Sequence, residues 1–341
     1  MTRTDPPAPG GAPGSLVGRR PVPSTERLLA DLVPPRHFAR ESFDSYRPDP
    51  AHPSQAAALA RLRDAAEVIS RPPSLPRFRR RMAPRPAVYL DGGFGVGKTH
   101  LLASLAHAVG TQRTAYGTFV ELTHLVGALG FAATVEALAR QALVCIDEFE
   151  LDDPGDTMLM TRLVRELSDR GVALAATSNT LPESLGQGRF AAEDFLREIQ
   201  AMAARFEVLR IDGPDYRHRH PTGRPGLADD DVRAAVAGRP DATLDDFGAL
   251  LDHLGHVHPS RYGALLDGVG LVGLTGVAPV GSQDIALRLV VLVDRLYDRD
   301  VPVLLGGAGP GVLFGGDMLA GGYRKKYYRA LSRLESLVDG A

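Results

Sequence analysis

The most specific chemistry in the chain lies in one run, Gly92-Gly93-Phe94-Gly95-Val96-Gly97-Lys98-Thr99, which fills every fixed position of a G-x-x-x-x-G-K-[ST] phosphate-binding loop. Glycines let the backbone take positive φ and bring its N–H groups against phosphate oxygens with no Cβ in the way. A helix that starts at the loop adds the positive end of its dipole to the same anions. In this motif Lys98 reaches the β- and γ-phosphates and the Thr99 hydroxyl holds Mg²⁺. His100 follows directly and is counted with the nucleotide-contacting residues. ATP and Mg²⁺ are therefore the expected ligands.

A second group supplies what hydrolysis would need. Leu143-Val144-Cys145-Ile146 is an apolar run that ends in Asp147 and Glu148. At the carboxyl end of a buried strand Asp147 can hold the hydration shell of Mg²⁺, and Glu148 can polarise a water for in-line attack on the γ-phosphate. Asn179 ends the next apolar run, Ala176-Thr177-Ser178-Asn179, where it would orient that water or sense the γ-phosphate. Arg189 is a candidate arginine finger reaching the nucleotide of a neighbouring subunit, with Arg205 as a competitor. Arg288, on a later amphipathic helix, is a candidate for contacting phosphates from a lid.

The elements around these residues alternate in type. Ala87 to Leu90 reads as a buried strand before the loop, and Leu101, Leu102, Leu105, Ala106 and Val109 recur at helical spacing after it. Strands are expected over 115–120, 143–148, 172–178 and 206–211, with helices between them, which predicts a parallel sheet with helices on both faces. The fold class expected is an α/β P-loop NTPase core with a smaller mixed α/β domain after it. The domains expected are a Pro/Gly-rich N-terminal arm over 1–50, the core over 51–220 and a lid or accessory domain over 221–341. In the last of these, helices are expected over 229–237, 244–254, 283–298 and 323–338.

Composition excludes several functions. The formal net charge of −2 over 341 residues makes no global case for nucleic acid or an anionic membrane. The basic run Arg77, Arg79, Arg80, Arg81 and Arg85 reads as a solvated loop, and Tyr323 to Arg329 as a solvated basic helix face. A single cysteine, Cys145, rules out an intrachain disulfide framework and reads as core. No apolar run is long enough for a transmembrane helix, and the N-terminus lacks the apolar stretch of a secretory signal, so a cytoplasmic protein is expected.

These motifs together resemble the ZapE family of AAA+ ATPases, bacterial relatives of the mitochondrial AFG-type ATPases. The resemblance is carried by the phosphate loop, by Asp147-Glu148-Phe149, by Ala176 to Asn179 and by Asp215-Tyr216-Arg217. Residues 288–298 are also similar to the family's R-F-I-x-L-I-D-x-L-Y-D helix, and Ser332-Arg333-Leu334 matches its S-R-L. The family's G-L-Q-R is here Gly186-Gln187-Gly188-Arg189. The resemblance implies an ATPase acting in cell division with the polymer-forming protein FtsZ or a related partner, recruited to the division septum. A homo-oligomer, as a ring or a transient assembly, is expected. A nucleotide-gated adaptor with slow hydrolysis and a nucleic-acid ring ATPase or helicase loader are the alternatives.

Overall fold

The computed structural model describes residues 13–71, 85–93, 95–149, 154–180, 196–214 and 225–340. The chain divides into a loop unit, Ser24–His218, and a terminal unit made of Met1–Pro23 with Arg219–Ala341. The arm expected over residues 1–50 is thus split. Residues from Ser24 onward belong to the loop unit, where the Tyr116 amide donates to the Leu32 carbonyl at 2.9 Å and the Tyr46 hydroxyl to the Val96 carbonyl at 2.9 Å.

The loop unit contains α1 (Thr25–Ala30), α2 (Pro53–Ser70), β1 (Ala87–Gly92), α3 (Lys98–Val109), β2 (Thr114–Thr118), α4 (Phe119–Leu129), α5 (Phe131–Leu138), β3 (Leu143–Asp147), α6 (Pro154–Asp169), β4 (Ala173–Ser178), α7 (Leu196–Ala203) and β5 (Glu207–Ile211). Its five strands are parallel in the order β2-β3-β4-β1-β5. Alternation along each strand sends side chains to opposite faces. Val88, Leu90, Leu143 and Cys145 pack with Leu62, Leu101, Leu102 and Leu105 of α2 and α3. Tyr89, Val144 and Ile146 pack on the other face with Phe119, Leu122, Leu163 and Leu167 of α4 and α6. Each fully buried leucine contributes roughly 1.5–3 kcal/mol, so the two-sided core holds the strand tips rigidly. Cys145 is buried in this core, and burial pushes its thiol up.

β2 stops earlier than residue 120 because Thr118 caps α4. Its hydroxyl accepts from the Glu121 amide at 3.2 Å, and the Glu121 carboxylate accepts from the Thr118 amide at 2.5 Å. A reciprocal cap of this kind outweighs the β-branched character of Val120.

The terminal unit adds α8 (Asp229–Val236), β6 (Ala242–Asp246), α9 (Phe247–His256), α10 (Tyr262–Leu265), β7 (Leu271–Val277), α11 (Gln283–Asp298), β8 (Val303–Gly307), α12 (Gly316–Ala320) and α13 (Arg324–Asp339). Its three strands are parallel in the order β6-β7-β8. α9, α11 and α13 share the larger core, and Val236 of α8 closes the other face with Ala242 and Leu271. The helix expected from Leu244 instead begins at Phe247, because the Asp246 side chain accepts from the Ala249 amide and caps it there. That frees 242–246 to pair with β7 and with Gly14. Among the described residues no single helix is long and apolar enough to cross a membrane.

Candidate active site

The phosphate loop leaves β1 at Gly92 and enters α3 at Lys98. Gly97 caps the helix at φ 88°, and a Cβ there would lie 2.6 Å from Cε2 of Tyr46. Conformation and close approach both demand glycine at this position. At Gly92 a Cβ would lie 2.3 Å from the Ile211 carbonyl oxygen, so β5 also constrains the loop.

The chain brings the sequence-predicted residues together at the carboxyl edge of the sheet. The Lys98 ammonium donates to the Gly92 carbonyl at 2.8 Å, the Gly93 carbonyl at 2.5 Å and Oδ1 of Asn179 at 2.8 Å. The loop lysine and the tip of β4 therefore meet, although 81 residues separate them. Thr99, in the first turn of α3, has its hydroxyl 3.4 Å from Oδ1 of Asp147. Asp147 is buried at the end of β3. A hydroxyl and a carboxylate facing each other beside a phosphate loop form a hard-oxygen donor pair, which suits Mg²⁺ that keeps several waters and takes further ligands from phosphates. The residues present fit the ion.

Asp147 is held from both neighbouring strands. The Tyr116 hydroxyl of β2 donates to Oδ2 at 2.8 Å, and the Thr177 hydroxyl of β4 donates to Oδ1. Glu148 follows with φ 54°, a left-handed conformation that a residue with a side chain adopts at a cost. Its amide donates to Oδ1 of Asp147 at 3.1 Å and to the Thr177 hydroxyl at 3.0 Å, and the next amide, of Phe149, donates to the Thr177 carbonyl at 2.7 Å. Phe149 is wholly buried between the rings of Tyr89 and Phe119. The turn after β3 is thus fixed by bonds on one side and packing on the other.

Other predicted residues lie differently. His100 lines the cavity beside the loop and also faces the segment before α2, with Nε2 at 3.0 Å from the Ser45 hydroxyl and 3.4 Å from the Glu41 carboxylate. It fastens that segment to the loop. Arg205 donates to Asp169 at 2.8 Å and so ties the end of α6. Arg288 is in the terminal unit, where Nη1 donates to the Leu254 and Val257 carbonyls at 3.0 and 3.1 Å, closing the end of α9. Phe94, Arg189 and Asp215-Tyr216-Arg217 lie outside the described residues.

The structure adds residues that the linear reading did not assign to the site. Ser45, Tyr46, Arg47, Asp49, Gln55 and Pro214 join the sequence-predicted Gly95 to Gly97 and His100 in lining a cavity of about 240 Å³ beside the loop. Gln55 is committed to its walls, accepting from the Asp49 amide and donating to the Asp212 carbonyl, both at 2.8 Å. Asp91, buried just before the loop, has its carboxyl raised by burial against the pull of Arg210 and Lys98. Tyr116 and Thr177 carried a weak signal only, as polar side chains within two residues of a strand end.

The family model for AFG1-like ATPases matches residues 22–232 and 227–340. The cell division protein ZapE of Escherichia coli strain K12 is 30% identical over 202 residues, covering 51% of this chain and 53% of that protein. An uncharacterized protein of Schizosaccharomyces pombe is 30% identical over 147 residues, covering 38% of this chain and 32% of its own length. The chain spans about half the length of the ZapE proteins it matches. Among solved structures it is similar to AMPPCP-bound DnaA from Aquifex aeolicus, at 14% identity and a TM-score of 0.38, with 50% of each chain covered. With the family model spanning nearly all of it, the chain belongs to the AFG1-like ATPase family.

Proposed function

We propose that this chain is a Mg²⁺-dependent ATPase of the ZapE type, which couples ATP binding and hydrolysis to action on the division polymer FtsZ or a related protein. The observation that carries the reading is the convergence of Lys98 with Asn179 and of Thr99 with Asp147 at one edge of a parallel sheet. In this reading Lys98 and the loop amides hold the β- and γ-phosphates, and the cavity beside Tyr46 takes the nucleoside. Thr99 and Asp147 would hold Mg²⁺, which supplies charge stabilisation at the phosphates when bound. Glu148 accepts a proton from the attacking water, and Asn179 orients that water. Self-association belongs to the reading, with Arg189 of a neighbouring copy as the candidate finger. The likeness to ZapE supports the division role and recruitment to the septum.

The test is steady-state ATP hydrolysis by the purified protein, with and without Mg²⁺ and with and without FtsZ. Turnover that requires Mg²⁺ and changes when FtsZ is added is expected. ATP bound but never turned over would replace the motor with a nucleotide-gated adaptor. Turnover indifferent to FtsZ would remove that partner.

A further inference from the structure

The hydrogen bonds around Asp147 exceed what a metal-holding carboxylate requires of its own strand, and they come from both neighbours. Tyr116, Asp147 and Thr177 share one face of the sheet. Tyr116 and Cys145 are register partners across β2 and β3, so the ring must reach forward along the strand to touch the Asp147 tip. Its hydroxyl takes Oδ2, while Thr177 takes Oδ1. Thr177 also accepts from the Glu148 amide, so one hydroxyl ties the metal-side carboxylate to the left-handed turn that carries the catalytic glutamate. Tyr116 is 3% exposed and Thr177 is 2% exposed, so water cannot readily substitute for either hydroxyl.

We propose that Tyr116 and Thr177 are positioning residues, which set the orientation of Asp147 toward a divalent cation and, through Thr177, the backbone of Glu148. The inference rests on the ATPase reading above and deepens it. Outer partners of a liganding carboxylate restrict its rotation, so the correct lone pair faces the ion before the ion arrives. Without Tyr116 one carboxylate oxygen loses its buried donor and the group can turn. Without Thr177 both the carboxylate and the Glu148 amide lose a partner, so metal binding and turnover should fall together.

The experiment measures Mn²⁺ binding to the ADP complex by electron paramagnetic resonance, in the wild type, Tyr116→Phe, Thr177→Val and Thr177→Ser, beside metal-free ADP affinity for each. Tyr116→Phe and Thr177→Val are expected to weaken Mn²⁺ about tenfold with metal-free ADP affinity unchanged. Thr177→Ser, which keeps the hydroxyl, is expected to restore it. Thr177→Val should also lower kcat more than Tyr116→Phe does, because it alone disturbs Glu148. Equal Mn²⁺ affinity in the wild type, Tyr116→Phe and Thr177→Val would overturn the inference while leaving the ATPase reading intact, as would loss in Thr177→Ser equal to that in Thr177→Val. A wild type that binds no Mn²⁺ with ADP would overturn the reading itself and the inference with it.

Discussion

Asp147 at the end of β3 and Asp245 near the end of β6 occupy comparable places, each buried at the carboxyl edge of a parallel sheet. What surrounds them differs. Asp147 faces Thr99 at the start of a helix that follows a phosphate loop. Asp245 accepts instead from the Ser15 hydroxyl at 2.5 Å, the Leu16 amide at 2.9 Å and the Val17 amide at 3.2 Å. It thereby pins the N-terminal segment across the terminal unit, with Leu16 wholly buried in that unit's core. The partners tell the two apart: Asp147 is held by its strand neighbours and faces a hydroxyl in the first turn after an anion-binding loop, whereas Asp245 is bonded to three successive residues of the N-terminal segment and makes a structural clasp.

The comparison breaks most visibly at Asp147. Asp147→Asn should lower kcat for ATP by about 100-fold, the loss of roughly 3 kcal/mol of metal-dependent stabilisation, with little change in the urea midpoint. In the terminal unit, Asp294 of α11 accepts from Arg329 at 2.9 Å and Arg333 at 2.5 Å. Asp294→Ala removes the carboxylate between two largely buried guanidinium groups and should cost about 3 kcal/mol in denaturant unfolding. Asp245→Ala removes the clasp and should cost about 1–3 kcal/mol, while turnover stays within twofold of wild type. A large loss of turnover in Asp245→Ala would erase the distinction between the two carboxylates.

Much of the site was legible because it is contiguous: the glycines, Lys98 and Thr99 are adjacent, and Asp147, Glu148 and Asn179 close apolar runs. What stayed hidden depends on partners distant in the chain. Tyr116 meets Asp147 31 residues on, and Ser15 meets Asp245 across 230 residues. The Pro/Gly-rich character of the first residues pointed only to an arm, and Leu16 gave no periodic signal by which burial could be foreseen. β6 was masked by the capping role of Asp246, which local helix propensity does not distinguish from a helical interior. Arg288 sat on a strongly amphipathic helix, yet its guanidinium serves the Leu254 and Val257 carbonyls at the end of α9.

A smaller effect sharpens the comparison through pH. Burial opposes ionisation of Asp294, yet Arg329 and Arg333 outweigh it and hold its carboxyl below the ordinary value. Its folded pKa is therefore below its unfolded value of about 3.9, so its stabilisation is present above that pH and is lost as pH falls through the folded value. Asp298, raised by burial against Arg333 and Arg295, contributes with the opposite sign and flattens the slope. Acid titration of the unfolding free energy should show a decline below about pH 4 that is shallower in Asp294→Asn.

The most direct test of the central claim is ATP binding and single-turnover hydrolysis in Glu148→Gln. The side chain stays nearly isosteric and the phosphate loop is untouched, so ATP affinity should match the wild type while the hydrolytic rate falls by about 10²–10⁴-fold. Hydrolysis at the wild-type rate in this variant would contradict the assignment of Glu148 as the base and, with it, the mechanism built on this edge of the sheet.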